Sequence, residues 1–119
     1  MTTYSGPSQK YALLDSDHAM LTIGDVVIDL TPYEACAVLV LQRQRGKYVR
    51  HDQLAERMLT ARQELGFKVD SSFPPPDAKW QIGNLRRKLQ QAGIDSNEVI
   101  ARKPGWGYAW KAGGNGTQG

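Results

Sequence analysis

The sequence predicts a single α+β domain with a short N-terminal antiparallel sheet, three helices and a C-terminal β-hairpin. Three observations lead to this prediction. Short apolar and β-branched segments alternate with turn residues between positions 11 and 30, three helical patterns follow between 31 and 91, and two extended segments flank a proline–glycine turn between 98 and 111. A chain of 119 residues is long enough for one hydrophobic core and no more.

The domain boundaries follow from the local composition. Residues 1–10 are polar and contain Gly6 and Pro7, so we expect a flexible N-terminal arm. Residues 11–111 make up the expected domain. Residues 112–119 are rich in glycine, and we expect them to form a disordered tail.

The N-terminal sheet is predicted to contain three strands, at residues 11–14, 19–23 and 26–30. Gly24-Asp25 joins the second strand to the third as a two-residue hairpin connection. His18 falls in the turn before the second strand, where we expect a surface side chain without a chemical role.

The first helix has strong N-terminal signals. Thr31 can cap it, Pro32 suits its first helical position, and Glu34 completes a capping box. The run that continues to about Gln44 is apolar nearly all round, which predicts a central buried helix. The single cysteine, Cys36, lies inside this run, and we expect a small buried hydrophobe instead of a reactive thiol.

A second helix is predicted over residues 51–65, where apolar residues recur at helical spacing. Gly66 is its expected C-terminal stop, whereas Arg50 is a poor N-terminal cap. Residues 67–76 form a loop, and the three consecutive prolines at its end make it stiff and extended there.

The third helix, predicted over residues 77–91, has two unlike faces. One face is an apolar stripe at spacing i, i+4, i+7, i+11, formed by Ala78, Ile82, Leu85 and Leu89. The opposite face carries Trp80, Asn84, Arg87 and Gln91, flanked by Lys79, Gly83 and Gln90. A tryptophan, an amide and an arginine side by side suit a base-reading surface, so we predict that this helix enters the major groove of DNA.

The C-terminal hairpin is predicted from strands at residues 98–102 and 108–111, joined by a turn at 103–107 with two glycines and a proline. We expect Tyr108 to anchor the hairpin to the domain and Trp110 to lie in the core.

The positive charge is concentrated in the last third of the chain. Up to Pro76 there are eight Lys/Arg against nine Asp/Glu, a net charge of −1. From Asp77 onward there are seven against three, a net charge of +4. This asymmetry indicates an anionic partner on one side of the molecule, although surface charge that only keeps a protein soluble is an equally good interpretation of the charge by itself.

Strands, three helices and a hairpin in this order make a winged helix-turn-helix, in which the hairpin is the wing. Within that class, residues 21–110 resemble the OmpR/PhoB-type effector domain of bacterial response regulators. The resemblance rests on four segments in order: Leu30-Thr31-Pro32 with Glu34 at the entry to the first helix, residues 49–54 at the entry to the second, Ile82, Leu85-Arg86 and Lys88-Leu89 in the pattern I-x-x-L-R-x-K-L, and Ile100, Gly105, Gly107 and Tyr108 in the wing.

The resemblance implies a mode of action. Helix 77–91 would lie in the major groove, and the wing, residues 98–111, would contact the adjacent minor groove or the DNA backbone. Loop 67–76 would face RNA polymerase, and two copies would bind head to tail on repeated half-sites. No receiver domain precedes the fold in this sequence. We therefore expect a stand-alone regulator without the usual phosphorylation control, and the initial methionine favours a full gene product.

The sequence departs from the family pattern mainly on the reading surface. Trp80 stands where relatives usually have a small aliphatic residue, and Gly83 and Asn84 stand where they often have arginine or another polar residue. Arg50 replaces the usual serine cap, and Pro104 occupies the place of the wing arginine. We therefore expect the base preference to be this chain's own.

The predicted DNA contacts on the third helix include both phosphate-binding and base-reading groups. Lys79 and Lys88 suit phosphates, and Arg87 suits guanine or phosphate. Asn84 either pairs with adenine or is an ordinary exposed amide. Arg86 lies beside the apolar stripe, so it either clamps a phosphate or supports the helix.

The remaining predicted contacts are one aromatic residue, one glycine and two cations of the wing. Trp80 either presses on a thymine methyl or a sugar edge, or packs against the wing or the proline loop. Gly83 costs helix stability, and close approach of a DNA strand would explain it. Arg102 and Lys103 replace the missing wing arginine, or are plain surface charge.

Several classes of function are disfavoured. No apolar run reaches the roughly 18–20 residues that span a bilayer, and the N-terminus has no apolar signal-peptide region. One cysteine rules out an internal disulfide, and no metal cluster or cofactor is predicted. A phosphate loop, a carboxylate pair beside a histidine and a nucleophile motif are all missing, so we do not expect an enzyme. These features suit a cytoplasmic, nucleoid-associated protein.

The sequence as a whole predicts a sequence-specific regulator of transcription that binds double-stranded DNA. The alternative is a winged-helix interaction module that binds RNA polymerase or another regulator, which the modest net charge of +3 and the missing wing arginine favour.

Overall fold

The computed structural model describes three stretches of the chain: residues 12–15, 17–66 and 77–111. The predicted arm at 1–10, the loop at 67–76 and the tail at 112–119 lie outside the described residues. The predictions made for those three segments therefore stay predictions.

The N-terminal sheet has three antiparallel strands in the order β1-β2-β3, with bounds Ala12–Asp15, Met20–Ile23 and Val26–Asp29. The tight β2–β3 connection includes Gly24, whose φ is 61°. Side chains alternate across the sheet, so Leu21 and Ile23 are buried. The outward row pairs Leu13 with Thr22, and Thr22 with Val27. This sheet covers one side of the helices, as the alternation of the sequence predicts.

Helix α1, Pro32–Arg43, is the central helix of the fold. The Thr31 side chain accepts a hydrogen bond from the Glu34 backbone amide, and the Glu34 carboxylate accepts one from the Thr31 amide at 2.9 Å, which completes the predicted capping box. Cys36 is fully buried in this helix. Burial raises the pKa of its thiol to about 11, so the group is a packed hydrophobe at neutral pH, as predicted.

Helix α2, His51–Leu65, follows directly after a two-residue strand β4, Val49–Arg50. Arg50 occupies the N-cap position and makes no capping hydrogen bond with its side chain. The His51 amide donates instead to the Trp106 carbonyl at 3.1 Å, so the wing supplies the acceptor that a serine cap would otherwise offer. Gly66 ends the helix in the left-handed conformation, with φ 74°.

Helix α3, Ala78–Gln91, begins at Asp77, whose side chain caps the Trp80 amide. The apolar stripe predicted from periodicity is buried along its whole length, at Ala78, Ile82, Leu85 and Leu89. The helix ends in a Schellman motif: the Ile94 amide donates to the Leu89 carbonyl and the Gly93 amide to the Gln90 carbonyl. Buried Ile94 then turns the chain back under the helix.

The wing contains a short helical turn that the sequence reasoning did not predict. The strand expected at 98–102 begins only at Ile100, because Asp95 caps the Asn97 amide and starts the one-turn helix α4, Ser96–Val99. Strands β5, Ile100–Lys103, and β6, Gly107–Trp110, form the hairpin. They join β4 in a second sheet of order β4-β6-β5.

Two glycines shape the hairpin for different reasons. Gly105 follows Pro104 in the tip turn with φ 74°, and the Trp106 amide donates to the Lys103 carbonyl, which is the arrangement of a type II turn. Gly107 lies where β6 crosses β4, and a Cβ at this position would stand 2.0 Å from the Val49 carbonyl oxygen. A side chain is therefore excluded at Gly107 by the backbone of the neighbouring strand.

These elements make an α+β winged helix-turn-helix: a three-stranded sheet, three helices and a hairpin wing. The predicted fold class is confirmed, and Trp110 lies in the core as expected, with 2% of its surface exposed. The arrangement places α3 beside the wing, with the apolar side of α3 against the core and its polar side outward.

Candidate nucleic-acid interface

A groove lies between the outer side of α3 and the wing, with a volume of about 460 Å³. Both elements contribute side chains to it. The lining residues are Lys79, Gly83, Arg86, Arg87, Gln90, Arg102 and Tyr108. Four of these are cations, and no carboxylate lines the groove among the residues that the structure describes. The groove is therefore a positively charged channel that suits an anionic chain.

The structure brings five of the nine predicted contact residues into this groove. Lys79, Gly83 and Arg87 follow one another at four-residue spacing on α3 and are all exposed. Arg86 lies beside them, and Arg102 projects from β5 on the other side. The groove thus joins the helix and the wing into one continuous surface.

Two groups in the groove were not predicted as contacts. Gln90 was noted only as a flanking residue of the outer face, and Tyr108 only as an anchor. Gln90 lies seven residues after Gly83, so helical spacing would have placed it on the same stripe. Its amide nitrogen donates to the Ser96 hydroxyl at 3.1 Å, which holds the side chain at the end of the channel.

Tyr108 forms part of the groove wall while remaining almost fully buried, with 5% of its surface exposed. Its ring packs against the ring of His51 at a centroid distance of 5.1 Å. Burial raises the pKa of its hydroxyl, and the nearby Arg102 and Arg86 guanidinium groups act in the opposite direction. The predicted anchoring position of Tyr108 is confirmed, and the residue stays neutral at physiological pH.

Arg86 connects α3 to the wing. Its guanidinium donates to the Ile100 carbonyl at 2.7 Å and to the Asn97 side-chain oxygen at 2.7 Å. Because both acceptors precede or begin strand β5, these bonds hold the wing at one angle to the helix. Of the two roles expected for Arg86, the structure supports the structural one.

Asn84 and Arg87 lie next to each other on the outer side of α3. The Arg87 guanidinium donates to the Asn84 side-chain oxygen at 3.2 Å. This bond orients the Asn84 amide so that its NH₂ group remains available as a donor. The two side chains therefore present one joint polar surface, as the helical wheel predicts.

Lys88 is the one predicted contact that the structure places elsewhere. Its ammonium donates to the Glu34 carboxylate at 2.6 Å and to the Asp29 carbonyl at 2.9 Å, on the α1 side of the helix. Glu34 is 1% exposed, so this lysine neutralises a buried charge. We therefore correct the prediction that Lys88 binds phosphate and assign it to the scaffold.

The two cations of the wing point in different directions, because neighbouring residues of a strand face opposite sides. Arg102 faces the groove and pairs across the hairpin with Tyr108. The Lys103 ammonium lies 5.1 Å from the ring centroid of Trp106 and 5.9 Å from that of Tyr48, within cation–π distance of both. Arg102 is thus the wing cation of the groove, and Lys103 lies on the other side of the wing.

Trp80 is the most exposed aromatic residue described, with 63% of its surface accessible. It does not line the groove, and it begins the next stripe of α3 beside Asn84. Of the alternatives for Trp80, packing against the wing is excluded for the described residues by this exposure. Sequence reasoning did not anticipate the exposed pair of Tyr48 and Trp106, whose rings meet edge to face at 6.4 Å.

Other types of site were searched in the described parts of the chain. Residues 12–15, 17–66 and 77–111 contain no group of three or more side chains arranged to hold a metal ion. Within the same ranges, no helix has the length and apolar character needed to cross a membrane.

Comparisons with known proteins show what this fold is similar to. No protein-family model matches the chain, and no curated protein matches it by sequence. Among solved structures it is similar to the DNA-binding domain of the response regulator AdeR, whose crystal structure was determined in complex with an intercistronic region. The match covers 91% of this chain and 100% of that one, with a TM-score of 0.62 and 18% identity. The expected resemblance to a response-regulator effector domain is confirmed at the level of the fold.

Proposed function

We propose that this protein is a sequence-specific regulator of transcription that binds double-stranded DNA through α3 and the wing. The observation that carries the proposal is the groove in which Lys79, Arg86, Arg87 and Arg102 converge. This groove lies in a fold similar to that of a domain crystallised in complex with an intercistronic region. A cationic channel between a helix and a wing suits the phosphodiester backbone of a duplex.

Helix α3 is the proposed reading element. The major groove is about 12 Å wide and admits an α-helix. With the apolar stripe of α3 buried, the residues left for base edges are those of its outer side. Arg87 suits guanine, Asn84 suits adenine, and exposed Trp80 suits the methyl group of thymine.

The wing is the proposed second contact, at the minor groove or the backbone. Arg102 faces the groove and takes the role for which the family pattern uses the residue at the position of Pro104. Arg86 holds the wing against α3 through Ile100 and Asn97. The distance between the two DNA contacts is therefore set within the protein before DNA is bound, which lowers the entropic cost of binding.

Three further parts of the proposal concern partners and location. Two copies would bind head to tail on repeated half-sites, and loop 67–76 would present a surface to RNA polymerase. The protein would act in the cytoplasm, associated with the nucleoid. These parts rest on the resemblance to the effector domains, since the loop lies outside the described residues.

Selection from a random pool of duplex DNA tests the central proposal. The wild-type protein should enrich a defined motif, and the Arg87→Ala protein should enrich a motif that is degenerate at one position. Fluorescence anisotropy on the enriched duplex then gives the affinity at several salt concentrations. Recovery of random sequences by the wild-type protein would contradict sequence-specific binding.

A second candidate function is a protein-interaction module that binds RNA polymerase or another regulator. The observation in its favour is the exposure of Trp80, Tyr48 and Trp106, since aromatic residues are enriched in protein interfaces. Salt separates the two functions. Contacts to several phosphates make the affinity fall steeply with ionic strength, whereas a partner held by these aromatic rings would bind with little dependence on salt.

A further inference from the structure

Gly83 occupies the middle of α3, where glycine is an unfavourable residue. Glycine loses more backbone freedom than any other residue when a helix forms, so a glycine in a helix interior weakens it relative to alanine. Gly83 lies five residues after the start of α3 and eight before its end. The cost is therefore not relieved by fraying at a helix terminus.

Nothing within the described structure requires glycine at this position. A Cβ built on Gly83 meets no atom within 4 Å, so no neighbouring side chain or backbone excludes a larger residue. Gly83 is also not among the residues with positive φ, so its backbone conformation suits any amino acid. Gly107 differs, since the Val49 backbone fills the space next to it.

The surroundings of Gly83 are the most cationic part of the groove. Lys79 lies one turn before it, Arg87 one turn after it, and Arg102 projects from the wing into the same groove. A residue without a side chain between two cations leaves a notch in the outer side of α3. At this notch a ligand can touch the helix backbone while it contacts charged groups on both sides.

We infer that Gly83 is the point of closest approach to DNA, where the sugar–phosphate backbone of one strand lies directly against the backbone of α3. The inference rests on the proposed DNA-binding function and adds to it the part of the duplex that fills the notch. A strand of phosphodiesters is favoured over a base edge, because cations flank the notch on α3 and on the wing. A base edge would call for neutral donors and acceptors at this place.

The inference predicts opposite effects on stability and on binding. Gly83→Ala fits the open space and improves the helix, so the midpoint of thermal unfolding should rise by roughly 3–5 °C. DNA affinity should fall, because the new methyl group lifts the strand away from the helix. Gly83→Leu should weaken binding more, by roughly 5- to 100-fold, as expected for an overfilled contact.

Salt dependence shows which part of the DNA fills the notch. If the phosphate backbone is displaced, Lys79 and Arg87 lose contacts, and the slope of log affinity against log salt should decrease by about 1–2. If a base edge fills the notch, the slope stays constant while the selected motif changes. That second result would overturn the assignment to the backbone.

Thr60→Ala is a matched control for helix stabilisation. Thr60 is exposed on α2, away from the groove, and alanine is the better helix former there as well. This variant should gain stability and bind DNA as the wild type does. A Gly83→Leu protein that folds and binds with wild-type affinity would overturn the inference and leave the proposed function intact. A wild-type protein that binds no duplex would refute the proposed function itself.

Discussion

The inner and outer sides of α3 follow different rules. On the inner side, Leu85 and Leu89 are fully buried and Lys88 is held by Glu34, so each residue has a partner within the fold. On the outer side, Trp80 is exposed and Gly83 has open space above it. The difference teaches that one helix can be determined on one side by the core and on the other by a ligand.

The glycines repeat this contrast. Gly107 is required by the Val49 backbone beside it, and Gly83 has no internal requirement. An internal requirement can be tested through stability without DNA, whereas an external one can be tested only through binding. The four predictions below break or sharpen the comparison, from the largest expected effect to the smallest.

Gly107→Ala should cause the largest loss of stability. Its Cβ would meet the Val49 carbonyl oxygen at 2.0 Å, so β6 must move away from β4. We expect a loss on the order of 3 kcal/mol in the free energy of unfolding. Urea denaturation followed by circular dichroism measures it, with Gly83→Ala as the control. Equal stability of the Gly107→Ala and wild-type proteins would refute the close approach of the two strands.

Lys88→Met should destabilise the protein by about 2–3 kcal/mol, because it leaves the Glu34 carboxylate buried without its cation. The estimate is below the full value for a buried pair, since one third of the Lys88 side chain is exposed. Replacing both residues, as Lys88→Met with Glu34→Gln, should recover part of the loss. Denaturant titration of the two single variants and the double variant gives the coupling energy. A coupling energy near zero would show that the pair does not act as a unit.

Lys79→Ala should affect binding and not stability, in contrast to Lys88→Met. Lys79 is exposed and lines the groove, so its removal should change unfolding by less than about 0.5 kcal/mol. Affinity should fall on all duplex sequences, and the salt slope should decrease by about 1. Anisotropy titrations on the selected duplex and on a scrambled duplex measure both. Lys79→Ala protein that loses affinity only on the selected duplex would instead read bases.

The exposed ion pair of His18 and Asp15, 2.8 Å apart, should have the smallest effect. The hydrogen bond to Asp15 raises the pKa of His18 above 6.5, and the bond to His18 lowers that of Asp15 below 3.8. The histidine contribution is complete below pH 6.5 and disappears as the pH rises through its folded-state pKa. The aspartate contribution is present above pH 3.8 and disappears as the pH falls through its own folded-state pKa. The pair therefore stabilises the protein mainly between these limits.

An NMR titration of the imidazole protons checks this pair. In the Asp15→Asn protein the pKa of His18 should move back toward its ordinary value, and DNA binding should not change. An unchanged pKa in that variant would show that the contact with Asp15 does not persist in solution.

The elements of the fold could be predicted because their signals are local. The capping box of Thr31 and Glu34 lies within four residues, and the apolar stripe of α3 repeats within one helix. The helical turn at Ser96–Val99 could not be predicted, because its four residues are too few to show a helical period. Its only sequence signal is the capping residue Asp95.

The candidate site was predicted less completely than the fold. Periodicity placed Lys79, Gly83 and Arg87 on one side of α3, and the structure agrees. It assigned Lys88 to phosphate, whereas the partner of Lys88 lies 54 residues earlier in the chain. The cation–π contacts of Lys103 likewise join the wing to Tyr48, which the local sequence does not indicate.

The sequence by itself determined the order and type of the elements, the buried stripe of α3 and the concentration of positive charge after Asp77. These properties depend on spacing along the chain and on composition. The tertiary structure decided which cations face the groove and which neutralise the scaffold, and it showed that Gly107 is enclosed while Gly83 is open. The physical reason is that the role of a charge or a glycine depends on neighbours brought close only by folding.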